Sequence, residues 1–213
     1  MGFGLLGFIG IAVSQWKERI MNNWFNLIPV LLILSASVTL LVSTDWKFCI
    51  IALTILYLGI FILLVQVWPL TLSSVKLITG WMSAAILGLN LPKDPVVQEE
   101  GLFSSRLFKI FSLLLIWVLA FLISKFVSSS FQISPEIAFS SLAIFGGGLL
   151  QLGMKTQPFF IILAILTVFA GFELLYASVE SSVLINGLLA AINLLIAFIG
   201  SYFINLSQPE EQS

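Results

Sequence analysis

Histidine is absent from this 213-residue chain, and cysteine occurs once, as Cys49. Without imidazole, and with a single thiol, the usual zinc, haem and iron–sulfur ligand sets have nothing to be built from. Catalysis that needs a histidine base is excluded on the same ground. No internal disulfide can form, and Cys49, in an apolar segment, reads as a small core residue. Charge is scarce as well: 9 basic residues face 10 acidic ones, for a net charge of −1. That balance gives no basic footprint for nucleic acid. The glycines Gly146-Gly147-Gly148 match neither G-x-G-x-x-G nor a Walker sequence, and they lie inside an apolar run. No cofactor and no metal site is expected, and the chain does not read as an enzyme by itself.

What the chain has in abundance is apolar length. It is 60% hydrophobic, with a mean hydropathy of +1.14. A run of about 20 apolar residues crosses the hydrocarbon core of a bilayer as a helix. Seven such runs are read: Trp24–Val42, Phe48–Val67, Leu70–Leu91, Leu107–Val127, Ile137–Leu152, Pro158–Val179 and Val183–Ile204. The fifth is short and rich in glycine. The fold class that follows is all-α, a polytopic transmembrane helix bundle, because hydrocarbon leaves no solvent for unpaired backbone groups. The apolar stretch Met1–Ser14 precedes Trp16-Lys17-Glu18-Arg19. A signal peptide carries its positive charge before the apolar region, so this stretch is expected to be retained. It fits a short eighth span and a helix lying in the interface equally well.

The expected organisation is an N-terminal apolar helix with a basic flank (residues 1–23), a first three-helix half (24–91), a hydrophilic connection (92–106), a second four-helix half (107–206) and a polar tail (207–213). The connection carries Pro92, Asp94, Pro95, Glu99 and Glu100 and reads as a solvated linker that also offers a partner a contact. Lys47, Lys93, Arg106, Lys109 and Lys155 fall on the side of the C-terminal tail, against Lys17, Arg19 and Lys125 on the other. The positive-inside rule then puts the C-terminus in the cytoplasm. The halves share a faint echo, Ile50–Leu56 with Gly59 against Ile161–Thr167 with Gly171. If it marks a repeat, the repeat is parallel.

Apart from Lys109 and Lys125, which stand close to the two ends of the fourth run, two charges stand inside these runs, Lys76 and Glu173. On insertion scales each costs roughly 2.5–3.5 kcal/mol at the centre of a span. At 1.5 Å per residue, Lys76 lies about 9 Å from the start of its span and Glu173 about 10 Å from the end of its own, at the same membrane face. Ser73, Lys76, Thr79, Gly80, Ser83, Ala84 and Gly88 share one helix face, and Gly80, Ala84 and Gly88 continue the Lys76 row in steps of four. Small residues so spaced let helices approach closely, so Lys76 is expected to face protein. The alternative is snorkelling of its ammonium to the interface. Around Glu173 stand Ala170, Tyr176, Ala177 and Glu180, with Tyr176 a possible hydrogen-bond donor to the carboxyl. Glu173 is either a static, paired or neutral group or a proton-exchanging one. Asn186 and Asn193 on the last helix read as interhelical glue, or else as groups that hold water beside Glu173.

The stretch Leu70-Thr71-Leu72-Ser73-Ser74-Val75-Lys76-Leu77-Ile78 resembles the lysine-bearing third helix of the E-type membrane subunit of hydrogenase-4-type complexes. Gly171-Phe172-Glu173-Leu174-Leu175-Tyr176-Ala177 is similar to the G-hydrophobic-E-L-hydrophobic stretch of the K-type subunit of complex I, which with the C-type subunit of cation antiporters is a relative of the hydrogenase-4 protein. The three-plus-four arrangement resembles the hydrogenase-4 protein from Trp24 onward. The resemblance implies membrane partners, antiporter-like subunits among them, in an energy-transducing membrane such as a bacterial inner membrane. It departs at the last helix, where the complex I protein has a second glutamate and this chain has Asn186 and Asn193. Residues 1–23 lie outside it.

The leading expectation is a subunit of a proton- or cation-translocating redox or antiporter complex. Glu173 would exchange protons and Lys76 would modulate it, because a nearby cation favours the carboxylate. Two alternatives stand beside it. One is a structural or assembly subunit of such a complex; the other is a stand-alone small-solute transporter, for which no pair of broken helices marks a midplane site.

Overall fold

The computed structural model describes residues 27–89, 106–180 and 182–206. Among these residues there are seven α-helices and no strand: α1 (Leu27–Val42), α2 (Trp46–Val65), α3 (Leu70–Leu89), α4 (Arg106–Phe131), α5 (Pro135–Met154), α6 (Pro158–Val179) and α7 (Val183–Leu206). Helices α2 to α7, of 20 to 26 residues, are long and apolar enough to cross a membrane. They are consistent with a membrane protein. The first expected span is described only from Leu27, and at that length α1 is too short to stand with the six. The N-terminal stretch 1–23, most of the hydrophilic connection and the tail 207–213 lie outside the described residues.

Most boundaries lie within a few residues of the hydropathy runs, and the departures have local causes. Helix α2 starts at Trp46, directly after Asp45 in an extended N-cap conformation. Helix α4 continues past Val127 through three serines to Phe131 and stops where Gln132 takes a φ of 55°. A left-handed residue at that point is a common helix terminator. The turn is closed by the Ser128 hydroxyl, which donates to the Ile133 carbonyl at 2.7 Å. Pro135 then opens α5 with its fixed φ, and Glu136 sits in the first turn, where the helix dipole favours an acid. Helix α5 is a full 20 residues, not the short segment expected from its glycines. Those glycines serve packing and do not break the helix.

Four helices close a ring: α2 packs on α3, α3 on α7, α7 on α6, and α6 on α2. Helix α5 lies against the outside of α6, α4 against α5, and α1 against α2. The two halves expected from the sequence are thus interleaved, with α2 beside α6 and α3 beside α7. Connections α1–α2 and α5–α6 meet at one end, where the Lys155 ammonium donates to the Ser43 carbonyl at 3.1 Å. The same ammonium lies 4.4 Å from the centroid of the Phe160 ring. Lys155 and Lys109, which the charge distribution places at the membrane surface, are in fact buried. The core of the ring's walls is aliphatic, with Leu53, Leu56, Leu63, Leu163 and Leu174 fully enclosed.

The closest helix contact is between α5 and α6. A methyl group added at Gly148 would come within 2.7 Å of the Val168 backbone nitrogen, and one at Gly171 within 2.6 Å of that of Phe145. These neighbours are main chain and cannot swing aside, so the two backbones themselves would have to separate. Gly171→Ala and Gly148→Ala should each lower stability by about 1–3 kcal/mol, the usual range for overpacking. Gly187→Ala, where nothing lies within 4 Å of the added atom, should lose none. Denaturant titration of the three variants in mild detergent checks this, and equal behaviour of all three would remove the seam.

Candidate functional site

The interior of the ring is polar over part of its length, and each of its four helices contributes. Lys76 comes from the second turn of α3 and Glu173 from the last two turns of α6. The Lys76 ammonium donates to Glu173 Oε1 at 2.5 Å, and the side chains are 2% and 3% exposed. The two charges are therefore a buried ion pair. The lysine stem points inward and does not reach for the helix ends.

Deeper along the ring a second polar contact follows. The Tyr57 hydroxyl of α2 donates to Asn193 Oδ1 of α7 at 3.1 Å, both residues being buried. The Ser83 hydroxyl of α3 lies 2.9 Å from its own helix's Thr79 carbonyl and 3.5 Å from the Asn193 carbonyl. Thr79 returns its hydroxyl to the Val75 carbonyl. No hydrogen bond joins Tyr57 to Glu173, whose carboxylate is held by Lys76. Nearer the Lys76 end, Asn186 donates from Nδ2 to the Ser182 carbonyl at 3.1 Å. Asn186 Oδ1 and Asn193 Nδ2 are buried with no hydrogen-bond partner.

The small-residue row of α3 is what admits the tyrosine. A Cβ at Gly80 would lie within the Tyr57 ring, so the aromatic face rests directly on the α3 backbone. Ala84 is buried behind it, and Gly88 faces Ile50, so Gly80, Ala84 and Gly88 all look toward α2. Lys76, Thr79 and Ser83 look toward α6 and α7 instead. One helix thus presents a packing seam to one neighbour and polar groups to two others.

Lys76, Glu173, Asn186 and Asn193 are brought into the same ring. Tyr176 is not joined to them: its ring lies 6.0 Å from that of Phe172, on a partly exposed face, and it donates no hydrogen bond to Glu173. The tyrosine that does enter the site is Tyr57, which is not among the residues expected from the sequence. A signal was present: Tyr57 is the one tyrosine in an aliphatic stretch, and a buried tyrosine hydroxyl needs a partner. The arrangement can hold a carboxylate against a cation, and it offers hydroxyl and amide groups that conduct or bind water. No group of three or more His, Cys, Asp or Glu side chains fit for a metal occurs among the described residues. Comparisons of the chain with family models, curated proteins and solved structures found no match.

Removing one partner of a buried ion pair leaves the other charge uncompensated, at a typical cost of about 3–5 kcal/mol. Replacing both with apolar residues of similar volume is often close to neutral. Lys76→Met alone should therefore destabilise strongly, while Lys76→Met combined with Glu173→Leu should recover most of the loss. A double-mutant cycle by detergent unfolding measures this coupling. Additive losses would mean that the two side chains do not interact.

Proposed function

We propose that this chain is an integral membrane subunit of a multisubunit proton- or cation-translocating complex, in which Glu173 is the exchanging carboxyl and Lys76 its modulating charge. The observation that carries this is the enclosed Lys76–Glu173 pair, set among Tyr57, Ser83, Asn186 and Asn193 in an otherwise aliphatic bundle. A buried ion pair is a poor way to gain stability, since well-packed apolar residues do as well or better. Ionisable groups inside membrane spans accordingly mark ion pathways. Lysine suits the modulating role because its long stem can shift its charge while the short glutamate stays fixed to its helix. Withdrawing the ammonium would leave the carboxylate to bind a proton or another cation in its place.

Membership of an assembly is compatible with the exposed surface. Helix α4 packs mainly on α5 and leaves Phe111, Leu114, Leu115, Phe121, Leu122 and Phe126 exposed along its length. Such a face suits lipid or another membrane protein. The resemblance around Lys76 and Glu173 to redox-linked and antiporter subunits favours antiporter-like partners.

The structural alternative has its own support. Helices α3 and α6 are not among the pairs that pack extensively, so the ion pair is a main link across the ring and could serve only to set helix register. Ion flux separates the two readings. In membranes containing the whole complex, Glu173→Gln should reduce ion coupling at least tenfold while co-purification with the other subunits is retained. Glutamine keeps the shape of the side chain and an amide oxygen that can accept from the Lys76 ammonium, but it cannot exchange a proton. Normal coupling in this variant would hand the site to the structural reading.

Topology is a separate expectation. Reporter fusions after Ser213 and within residues 94–100 should both report the cytoplasmic side, following the distribution of Lys and Arg. Signals from opposite sides would overturn this arrangement of spans.

A further inference from the structure

The ring of α2, α3, α6 and α7 changes character halfway along its length. From the end where α2 connects to α3 and α6 to α7, the buried polar groups run from Asn186 through Lys76 and Glu173 to Tyr57, Asn193 and Ser83. From the level of Ser83 onward, toward the C-terminal end of α7, the ring is closed by Leu53, Leu87, Leu163, Leu166 and Ala197, none of them more than 1% exposed. The Thr167 hydroxyl in that half is already bonded to the Leu163 carbonyl. Ala197 lies one helical turn beyond Asn193, and the next buried polar group on that face of α7 is Ser201, one turn further on.

Two atoms in the polar half lack a partner. Asn193 is 0% exposed and its Nδ2 bonds to nothing, while Asn186 is 4% exposed with an unpaired Oδ1. Interchanging the oxygen and nitrogen of Asn193 would still leave one of the two unpaired. An unpaired buried polar group costs enough that ordered water usually supplies the missing bond. The two asparagines are seven residues apart on one face of α7, and they bracket the level of the ion pair. Water at both positions would reach the Glu173 carboxylate from above and below.

We propose that this polar half is a water-occupied half-channel that opens at the α2–α3 and α6–α7 end, with the Tyr57–Asn193 contact as its inner terminus and the leucine layer as its seal. The ligands it takes are water and small monovalent cations. Resting on the reading of Glu173 as an ion-exchanging carboxyl, it assigns that carboxyl access to one face only. Transfer to the other face then needs a partner protein or an opening of the leucine layer.

Thiol accessibility tests this on the full chain in native membranes, in a Cys49→Ala background, with silver ion as a small monovalent probe. Asn186→Cys, Thr79→Cys and Ser83→Cys sample the polar half, and Ala197→Cys samples the seal. Ser83→Cys and Ala197→Cys change little volume, which keeps folding intact. Silver should block Ser83→Cys at least tenfold faster in vesicles exposing the α2–α3 face than in inverted vesicles, and Ala197→Cys should stay slow from both. Thr79→Cys and Asn186→Cys should follow Ser83→Cys. Equal rates from both faces would overturn the half-channel, as would an Ala197→Cys thiol as reactive as Ser83→Cys, or polar-half thiols unreactive from either face. The result is independent of ion coupling. One-sided labelling with normal coupling in Glu173→Gln would keep the half-channel and remove the exchange role, whereas two-sided labelling with abolished coupling would do the reverse.

Discussion

The Lys76–Glu173 ion pair joins two helices that otherwise have little to do with each other. Helix α3 packs on α2 and α7, and α6 packs on α5, α7 and α2, so the pair spans the interior of the ring rather than an interface. That placement follows from one constraint. In an apolar bundle a charge can be satisfied only from within, and the only partner strong enough for a carboxylate is a cation reaching in from another helix. Several other buried polar groups gather at neighbouring levels of the ring for the same reason. Tyr57, Ser83 and Asn193 share hydrogen bonds because none of them has solvent to turn to.

Packing around the pair is uneven, and this bears on its dynamics. Behind Glu173, α6 is pressed onto α5 with Gly171 against the Phe145 backbone, which leaves the carboxylate on a rigid wall. Gly80 gives Tyr57 a similarly close seat on α3. Lys76 sits one turn before that seat, on a four-carbon stem that has several rotamers available. Of the two partners, the lysine has the longer side chain.

The helices are legible in the sequence because lipid-compatible segments announce themselves by length and hydropathy, and α6 runs over the residues that hydropathy assigns to it. The small-residue row of α3 is legible too, since steps of four on a helix are geometry. The common depth of Lys76 and Glu173 follows from the rise per residue. Less visible are features that depend on which helices become neighbours. Tyr57 is inconspicuous in an aliphatic run, whereas Tyr176, three residues from Glu173 on the same helix, looks like its natural donor. In the folded chain the tyrosine that enters the ring comes from another helix and lies deeper, and Tyr176 turns to Phe172.

By itself, then, the sequence determined the helical class, the positions of the apolar segments and the presence of two charges at matching depth, because each of these depends on local composition and on the dimensions of a helix. Tertiary structure alone decided that the charges pair, that Lys155 and Lys109 are buried, and that leucines close the ring between Asn193 and Ser201. Those features depend on the order of helices around the ring. Apolar faces of similar composition are nearly interchangeable in hydropathy, so neighbour choice is settled by close packing at particular glycines, which no one-dimensional pattern specifies.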